Sequence, residues 1–287
     1  MRRMSEKVLY ERLIRYVCAN GDVKAVEDLL KQGVNSNAPD KNGYTALHYA
    51  AISGNDEMVK LLASYGTNLD AQDKFGKSAM HLAAMGQKDA VMRALIDAGA
   101  DMDLQDKKGF TVAHIAASRQ NDKAIEILGA AGADLDLKDK YGQTALHWAA
   151  FYGDRAVVQK LIHEGANVDA VNSKGQSALE YAVVTNHKEA AQMLLDLGAD
   201  PMLKNSKGRM VVDLMRQKEE FKEVIKDYSL DQKQSQMAQE NEELSPQKNS
   251  EKTDSSSLLG RLNSFAEKIT TESDKNLLTR PDFHRTL

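Results

Sequence analysis

The stretch "DKYGQTALHWAA", residues 139–150, occurs with small changes six times in this chain of 287 residues. Each copy starts 33 residues after the one before it, and the first residues are Asp40, Asp73, Asp106, Asp139, Asn172 and Asn205. A fixed period of this length is typical of a solenoid, in which each unit buries its apolar face only against its neighbours. The period therefore predicts the fold before any single residue is interpreted.

Each unit carries the signals of a turn, a short helix, a second helix and a loop. Gly142, at the fourth position of its unit, supplies a turn geometry that is costly for other residues. Thr144 lies where the first helix needs an N-cap, and Gly165 follows the second helix as a C-terminal stop. Equivalent residues recur along the chain. The sequence therefore predicts an all-α solenoid of stacked helix-turn-helix units with β-turn tips.

These openings resemble the ankyrin repeat family, whose units begin with T-P-L-H. The resemblance covers about residues 7–228. Thr144, Leu146 and His147 keep the pattern, whereas Ala145 stands where the family has proline. Proline favours the first helical position but is not required there, so the fold is expected to be unchanged. The resemblance implies a protein-binding solenoid whose partners contact the turn tips and the groove face.

The period divides the chain into four predicted parts. Residues 1–39 keep only the second half of a unit and are predicted to be an N-terminal capping repeat, whereas residues 40–204 hold five full repeats. Residues 205–228 end in the polar stretch "RQKEEFKEVIKDY" and are predicted to be the C-terminal capping repeat. Residues 229–287 are polar and poor in apolar residues, which predicts a mostly disordered tail.

Within the tail, residues 257–270 favour an amphipathic helix. Four of its apolar residues fall on one stripe, at Leu258, Leu262, Phe265 and Ile269. Because so short a helix is marginal in isolation, it is expected to fold against something. The sequence leaves three choices open: another protein, the groove of this chain, or the end of the solenoid as a structural cap.

The composition bears on partners and compartment. A net charge of −4 provides no global basic field for nucleic acid. The single cysteine cannot form a disulfide within the chain, and no apolar run approaches the roughly 18 residues of a membrane span. A cytoplasmic location is expected, with the nucleus as an alternative.

Four histidines recur once per unit and invite a catalytic or metal-binding interpretation. They are His48, His81, His114 and His147. Stacked units hold equivalent side chains too far apart to converge on one zinc ion at about 2 Å. The resemblance implies a structural role instead, in which each histidine bonds its own turn and braces the next unit. No nucleophile, base and oxyanion donor come together, so we expect no enzyme, catalytic residue, metal or cofactor.

Helical geometry places three aromatic residues of one unit on the face away from the second helix. At about 100° per residue, Leu146 and Ala149 turn toward that helix, whereas Trp148, Phe151 and Tyr152 point the other way. Exposed apolar patches usually mark interaction sites. The sequence therefore predicts partner contacts in a groove at Ile52, Met85, Arg119, Trp148, Phe151, Tyr152 and Val184.

The first groove position of each unit has two interpretations. Its residues are Tyr49, Leu82, Ile115, Trp148 and Tyr181. In the family this position is often apolar and partly packed between helices. The sequence alone leaves open whether these residues pack or contact a partner.

The turn tips form a second predicted surface. The tip positions carry lysines and aromatic residues and no acid, although an aspartate opens four of the turns. The predicted contacts here are Tyr44, Phe75, Lys77, Lys108, Phe110 and Tyr141. Such a ridge would attract an acidic or aromatic-bearing protein segment. The alternative is that the lysines only keep the solenoid in solution.

The expected function is protein–protein interaction by a monomer acting as an intracellular adaptor, scaffold or inhibitor, without a small-molecule substrate. One alternative is a regulatory or substrate-targeting subunit of an enzyme complex, with the tail helix as effector. A less favoured alternative is a nucleic-acid or anionic-lipid binder that uses the lysine ridge.

Overall fold

The computed structural model describes residues 6–19 and 22–225, and these residues form thirteen α-helices and a 3-10 turn. The helices are α1 (Glu6–Ala19), α2 (Val23–Lys31), α3 (Ala46–Ser53), α4 (Asp56–Ser64), α5 (Ala79–Met85), α6 (Asp89–Asp97), α7 (Val112–Ser118), α8 (Asp122–Ala130), α9 (Ala145–Tyr152), α10 (Arg155–His163), α11 (Ala178–Val184), α12 (Lys188–Asp196) and α13 (Val211–Arg216). The 3-10 turn is Glu219–Phe221, and residues 222–225 are again helical.

Extended structure in this part of the chain is limited to two isolated bridges, Val171 with Ser177 and Lys204 with Met210. The all-α prediction is therefore confirmed. None of the described helices is long and apolar enough to span a bilayer. The predictions for the tail, including the helix at 257–270 with Leu258, Leu262, Phe265 and Ile269, lie outside the described residues.

The helices stack in two layers, as the 33-residue period predicts. The first helix of each unit packs on the first helix of the next, and the second helices do the same. Small residues line the contact between the layers: Ala149 and Ala150 are fully buried, as are Val158 and Leu161 of the facing helix α10. Because each unit covers its neighbour, the core runs along the described solenoid and no unit holds a core of its own.

The recurring histidines join each unit to the next. His147 Nδ1 accepts a hydrogen bond from the backbone N–H of Thr144, the N-cap of α9, at 3.1 Å. Its ring therefore carries the proton on Nε2, which donates to the carbonyl of Gln176 in the next unit at 2.9 Å. His48, His81 and His114 make the equivalent pairs of bonds. Their predicted structural role is confirmed.

Glu180 takes the position of the histidine in the following unit and makes a different connection. Its carboxylate is buried and accepts from Asn205 Nδ2 at 3.0 Å and from Gln176 Nε2 at 2.8 Å. The first four units open with aspartate, whereas the unit that follows Glu180 opens with Asn205. The amide of Asn205 suits a neighbouring carboxylate, because a second carboxylate there would be repelled.

We expect Asn205→Asp to destabilise the protein by at least about 2 kcal/mol, since it places two carboxylates together in a buried site. Asn172→Asp is the matched control. The hydroxyl of Tyr181 lies 3.1 Å from Asn172 Nδ2 and could donate to an aspartate, as Tyr49 donates to Asp40. Urea unfolding at pH 7 measures both changes, and equal losses would contradict this account of Glu180.

Candidate interaction surface

The groove face is the side of the first-layer helices that is turned away from the second layer. Four rings on this face and Phe110 on the adjoining turn contact one another across three units, and we call them the aromatic cluster: Phe110, Trp148, Phe151, Tyr152 and Tyr181. Phe110 meets Trp148 edge to face with ring centres 5.2 Å apart, and Phe151 meets Tyr152 in the same way at 5.2 Å. Phe151 and Tyr181 extend the cluster to the next helix at 6.4 Å.

The rings at the end of α9 are the exposed part of the aromatic cluster. Phe151 is 42% exposed and Tyr152 is 41% exposed, although each packs against another ring. Trp148 is half-buried, and its Nε1 donates to the carboxylate of Asp139 at 3.2 Å. Phe151 and Tyr152 are thus exposed, as helical geometry predicts, whereas Trp148 also stabilises the turn that precedes its own helix.

The structure separates the two interpretations of the first groove position. Leu82 and Ile115 are buried, so these two residues pack between helices. Tyr49, Trp148 and Tyr181 are half-buried and use their polar atoms inside the solenoid. Sequence alone could not separate these residues, because both groups are apolar at the same place in the unit.

The remaining predicted groove residues differ in exposure. Ile52 and Val184 are exposed on the groove face, and Arg119 is exposed at the end of α7. Met85 is only half-buried at the edge of the core. A partner on this face would therefore meet apolar side chains at both ends and rings in between.

The predicted turn contacts fall into two groups. Phe75 and Tyr141, which precede the turn glycine, are 64% and 66% exposed, and Lys108 at the same position is also exposed. Tyr44 and Phe110, which follow the glycine, are half-buried and stack on His48 and His114. The alternation follows from the turn itself, which points one side chain outward and the next toward the helix.

Lys77, which is predicted to contact a partner at the turn tips, forms an ion pair within the solenoid. Its side chain is 22% exposed, and its ammonium lies 3.1 Å from the carboxylate of Asp106 in the next unit. Lys77 occupies the same position as Tyr44 and Phe110, so it points inward as they do. A charge count along the sequence could not show that this lysine is already paired.

The basic character of the turn tips comes from other lysines. Lys108, Lys140 and Lys174 are exposed on the turns that lead into α7, α9 and α11, the helices that carry the groove residues around the aromatic cluster. The nearby carboxylate of Asp139 is buried and occupied by the N–H groups of Tyr141 and Gln143. The surface beside the aromatic cluster thus presents cations and no exposed acid at the turn tips.

Metal-ligating side chains do not cluster in the described part of the chain. No group of three or more histidine, cysteine, aspartate or glutamate residues there is arranged to hold a metal ion. Burial lowers the pKa of all four recurring histidines, which holds them neutral as bracing groups.

Comparison with known proteins agrees with the repeat geometry. The family model for ankyrin repeats (3 copies) matches residues 14–106, 53–139, 87–172 and 113–205. Among solved structures, the ankyrin repeat domain of Bcl-3, described as a unique member of the IkappaB protein family, is similar at 30% sequence identity and a TM-score of 0.66. That match covers 71% of this chain and 97% of the Bcl-3 chain. No curated protein matches. This chain belongs to the ankyrin repeat family.

Proposed function

We propose that this protein binds a segment of another protein along the groove face and acts as an adaptor, scaffold or inhibitor in the cytoplasm or nucleus. The observation that carries the proposal is the aromatic cluster. Folding leaves Phe151 and Tyr152 about two-fifths exposed beside one another. Exposed aromatic groups of this kind are enriched among the residues that dominate binding energy.

The exposed positive charges of this chain indicate which residues the partner segment carries. Lys108, Lys140 and Lys174 are exposed on the turns beside the aromatic cluster, and Arg119 is exposed on the groove face. Opposite charges steer association and fix the orientation of a partner. We therefore propose a segment with an apolar or aromatic centre and acidic flanks, bound by a monomer of this chain.

Affinity purification with mass spectrometry tests the proposal. The informative variant is Phe151→Ala with Tyr152→Ala, because replacing Trp148 would also remove the hydrogen bond that its indole donates to Oδ2 of the buried Asp139. A matched control is Tyr65→Ala with Met202→Ala, since these side chains are 40% and 43% exposed outside the groove face. We expect that some proteins co-purify with the wild type and with the control but not with the groove variant. If all three retain the same proteins, the aromatic cluster is not the binding site.

The exposed lysines favour one further candidate, a polyanion such as nucleic acid. Such binding weakens steeply as the salt concentration rises, because the release of condensed counterions from the polyanion then becomes less favourable, whereas an apolar groove contact depends little on salt. Affinity that stays nearly constant between low and physiological salt would exclude the polyanion and also the acidic flanks, and it would leave apolar contact with the aromatic cluster as the basis of binding.

A further inference from the structure

The residue that opens each turn has one polar atom that bonds its own turn and a second that is left for another partner. The first oxygen, Oδ1, accepts backbone N–H groups two and four residues later in all six units. The second atom bonds elsewhere, and its partners are Tyr49 for Asp40, Lys77 for Asp106, Trp148 for Asp139, Tyr181 for Asn172 and Glu180 for Asn205.

Asp73 departs from this pattern. It is 5% exposed, and its buried Oδ2 has no hydrogen-bond partner in the described part of the chain. The reason lies in the two positions that supply donors in other units. Leu82 stands where Tyr49 and Trp148 donate, and Tyr44 stands where the next unit has Lys77.

A buried carboxylate oxygen without a donor is costly, because the group has lost water and gained nothing in exchange. Charged side chains are rarely buried unless they are paired. The turn would form equally well with asparagine, as it does at Asn172 and Asn205, where Oδ1 accepts the same backbone bonds. The negative charge at Asp73 is therefore unnecessary for the fold.

We propose that Asp73 is a subsite for a lysine side chain of the protein segment bound on the groove face. The next unit already contains such a lysine–aspartate pair within the chain, because the Lys77 ammonium lies 3.1 Å from the Asp106 carboxylate. At Asp73 the lysine comes from the partner and supplies the donor that Tyr44 and Leu82 do not. The ring of Tyr44 provides a surface for its methylene groups and its charge.

This inference rests on the proposed function and adds a direction to it. Asp73 lies two units before the unit that carries Trp148, Phe151 and Tyr152. The partner segment accordingly carries its lysine toward the N-terminal units of the solenoid and its apolar and acidic residues toward the aromatic cluster. Binding in the reverse direction would leave the lysine beside Lys140 and Lys174.

The test is an NMR titration of the full chain with N-acetyl-lysine N-methylamide. The reporters are the amides of Phe75 and Lys77, which donate to Asp73 Oδ1. We expect saturable shifts at these amides with a dissociation constant on the order of millimolar. The amides of Lys108 and Phe110 should not move, because Asp106 is already paired. The uncharged analogue N-acetyl-norleucine N-methylamide should give no response.

Two variants complete the test. Asp73→Asn keeps the turn and is expected to weaken the lysine response by at least about tenfold. Tyr44→Lys supplies an internal ammonium, so it should abolish the response and raise the midpoint of thermal unfolding. If Tyr44→Lys does not fold, Leu82→Tyr supplies a hydroxyl as Tyr49 does for Asp40.

Three outcomes would overturn the subsite: no response in the wild type, an equal response to the norleucine analogue, or an unchanged response in Asp73→Asn. These outcomes are separate from those of the proposed function. Partner binding that depends on Phe151 and Tyr152 but persists in Asp73→Asn would reject the subsite and keep the groove.

Discussion

Gly142→Ala is expected to destabilise the solenoid by about 3 kcal/mol or more, because the added Cβ strains the backbone at Gly142 and collides with the next unit. Gly142 has φ +76°, a conformation that costs alanine about 1–2 kcal/mol. A Cβ there would also lie 2.5 Å from the backbone nitrogen of Ser173 in the next unit. That nitrogen donates to the carbonyl of Tyr141 at 3.2 Å, so the collision disrupts a bond between units.

Gly208→Ala is the matched control for this prediction. Gly208 has φ +72° at the same place in the last unit, but a Cβ there meets no atom within 4 Å. It should therefore cost only the backbone strain, about 1–2 kcal/mol. Urea unfolding measures the stability that each variant loses, and the difference between the two losses is the cost of the collision with the next unit. Equal losses would show that the turn glycine is needed for its backbone angle alone and not for the approach of the next unit.

Acid is expected to unfold the solenoid through its buried histidines. Burial lowers the pKa of His147 from 6.5 to about 4, and the bond to the Gln176 carbonyl offsets only part of this effect. The unfolded chain therefore binds the proton more readily than the folded chain. Stability is complete above pH 6.5 and falls as the pH drops toward 4, by about 2 kcal/mol between pH 7 and pH 5 for His147 alone.

His147→Gln isolates this contribution. Glutamine can accept from the N-cap amide at this position and does not titrate. We expect the variant to be less stable than the wild type at pH 7 and to lose about 2 kcal/mol less on going to pH 5. Chemical unfolding at a series of pH values measures both slopes. A wild-type stability that stays level down to pH 5 would contradict the buried neutral state of His147.

The sequence predicts the solenoid well because the information is repeated. Six openings at one spacing identify the turn glycines, the N-cap threonines and the bracing histidines, since an accidental pattern would not recur in register. The face of α9 that carries Phe151 and Tyr152 also follows from helical geometry alone. These features depend on local structure and on the contact between identical neighbours.

Features that depend on differences between units could not be predicted in the same way. Lys77 looks like one more tip lysine, but it is paired because Asp106 lies in the next unit. Leu82 looks like a groove residue, but it is buried. The unpartnered oxygen of Asp73 becomes visible only when both of its neighbours are known in three dimensions. Predicting these contacts requires knowing which side chains of adjacent units lie next to each other.

Calorimetric titration of a purified partner segment tests the central claim, that the aromatic cluster binds another protein. The partner is the one that affinity purification identifies, and it is titrated into the wild type, the Phe151→Ala and Tyr152→Ala variant, and the Tyr65→Ala and Met202→Ala control. Loss of two exposed rings from a binding centre should weaken affinity by about a hundredfold. The control should change it by less than about twofold. An affinity of the groove variant equal to that of the wild type would contradict the claim.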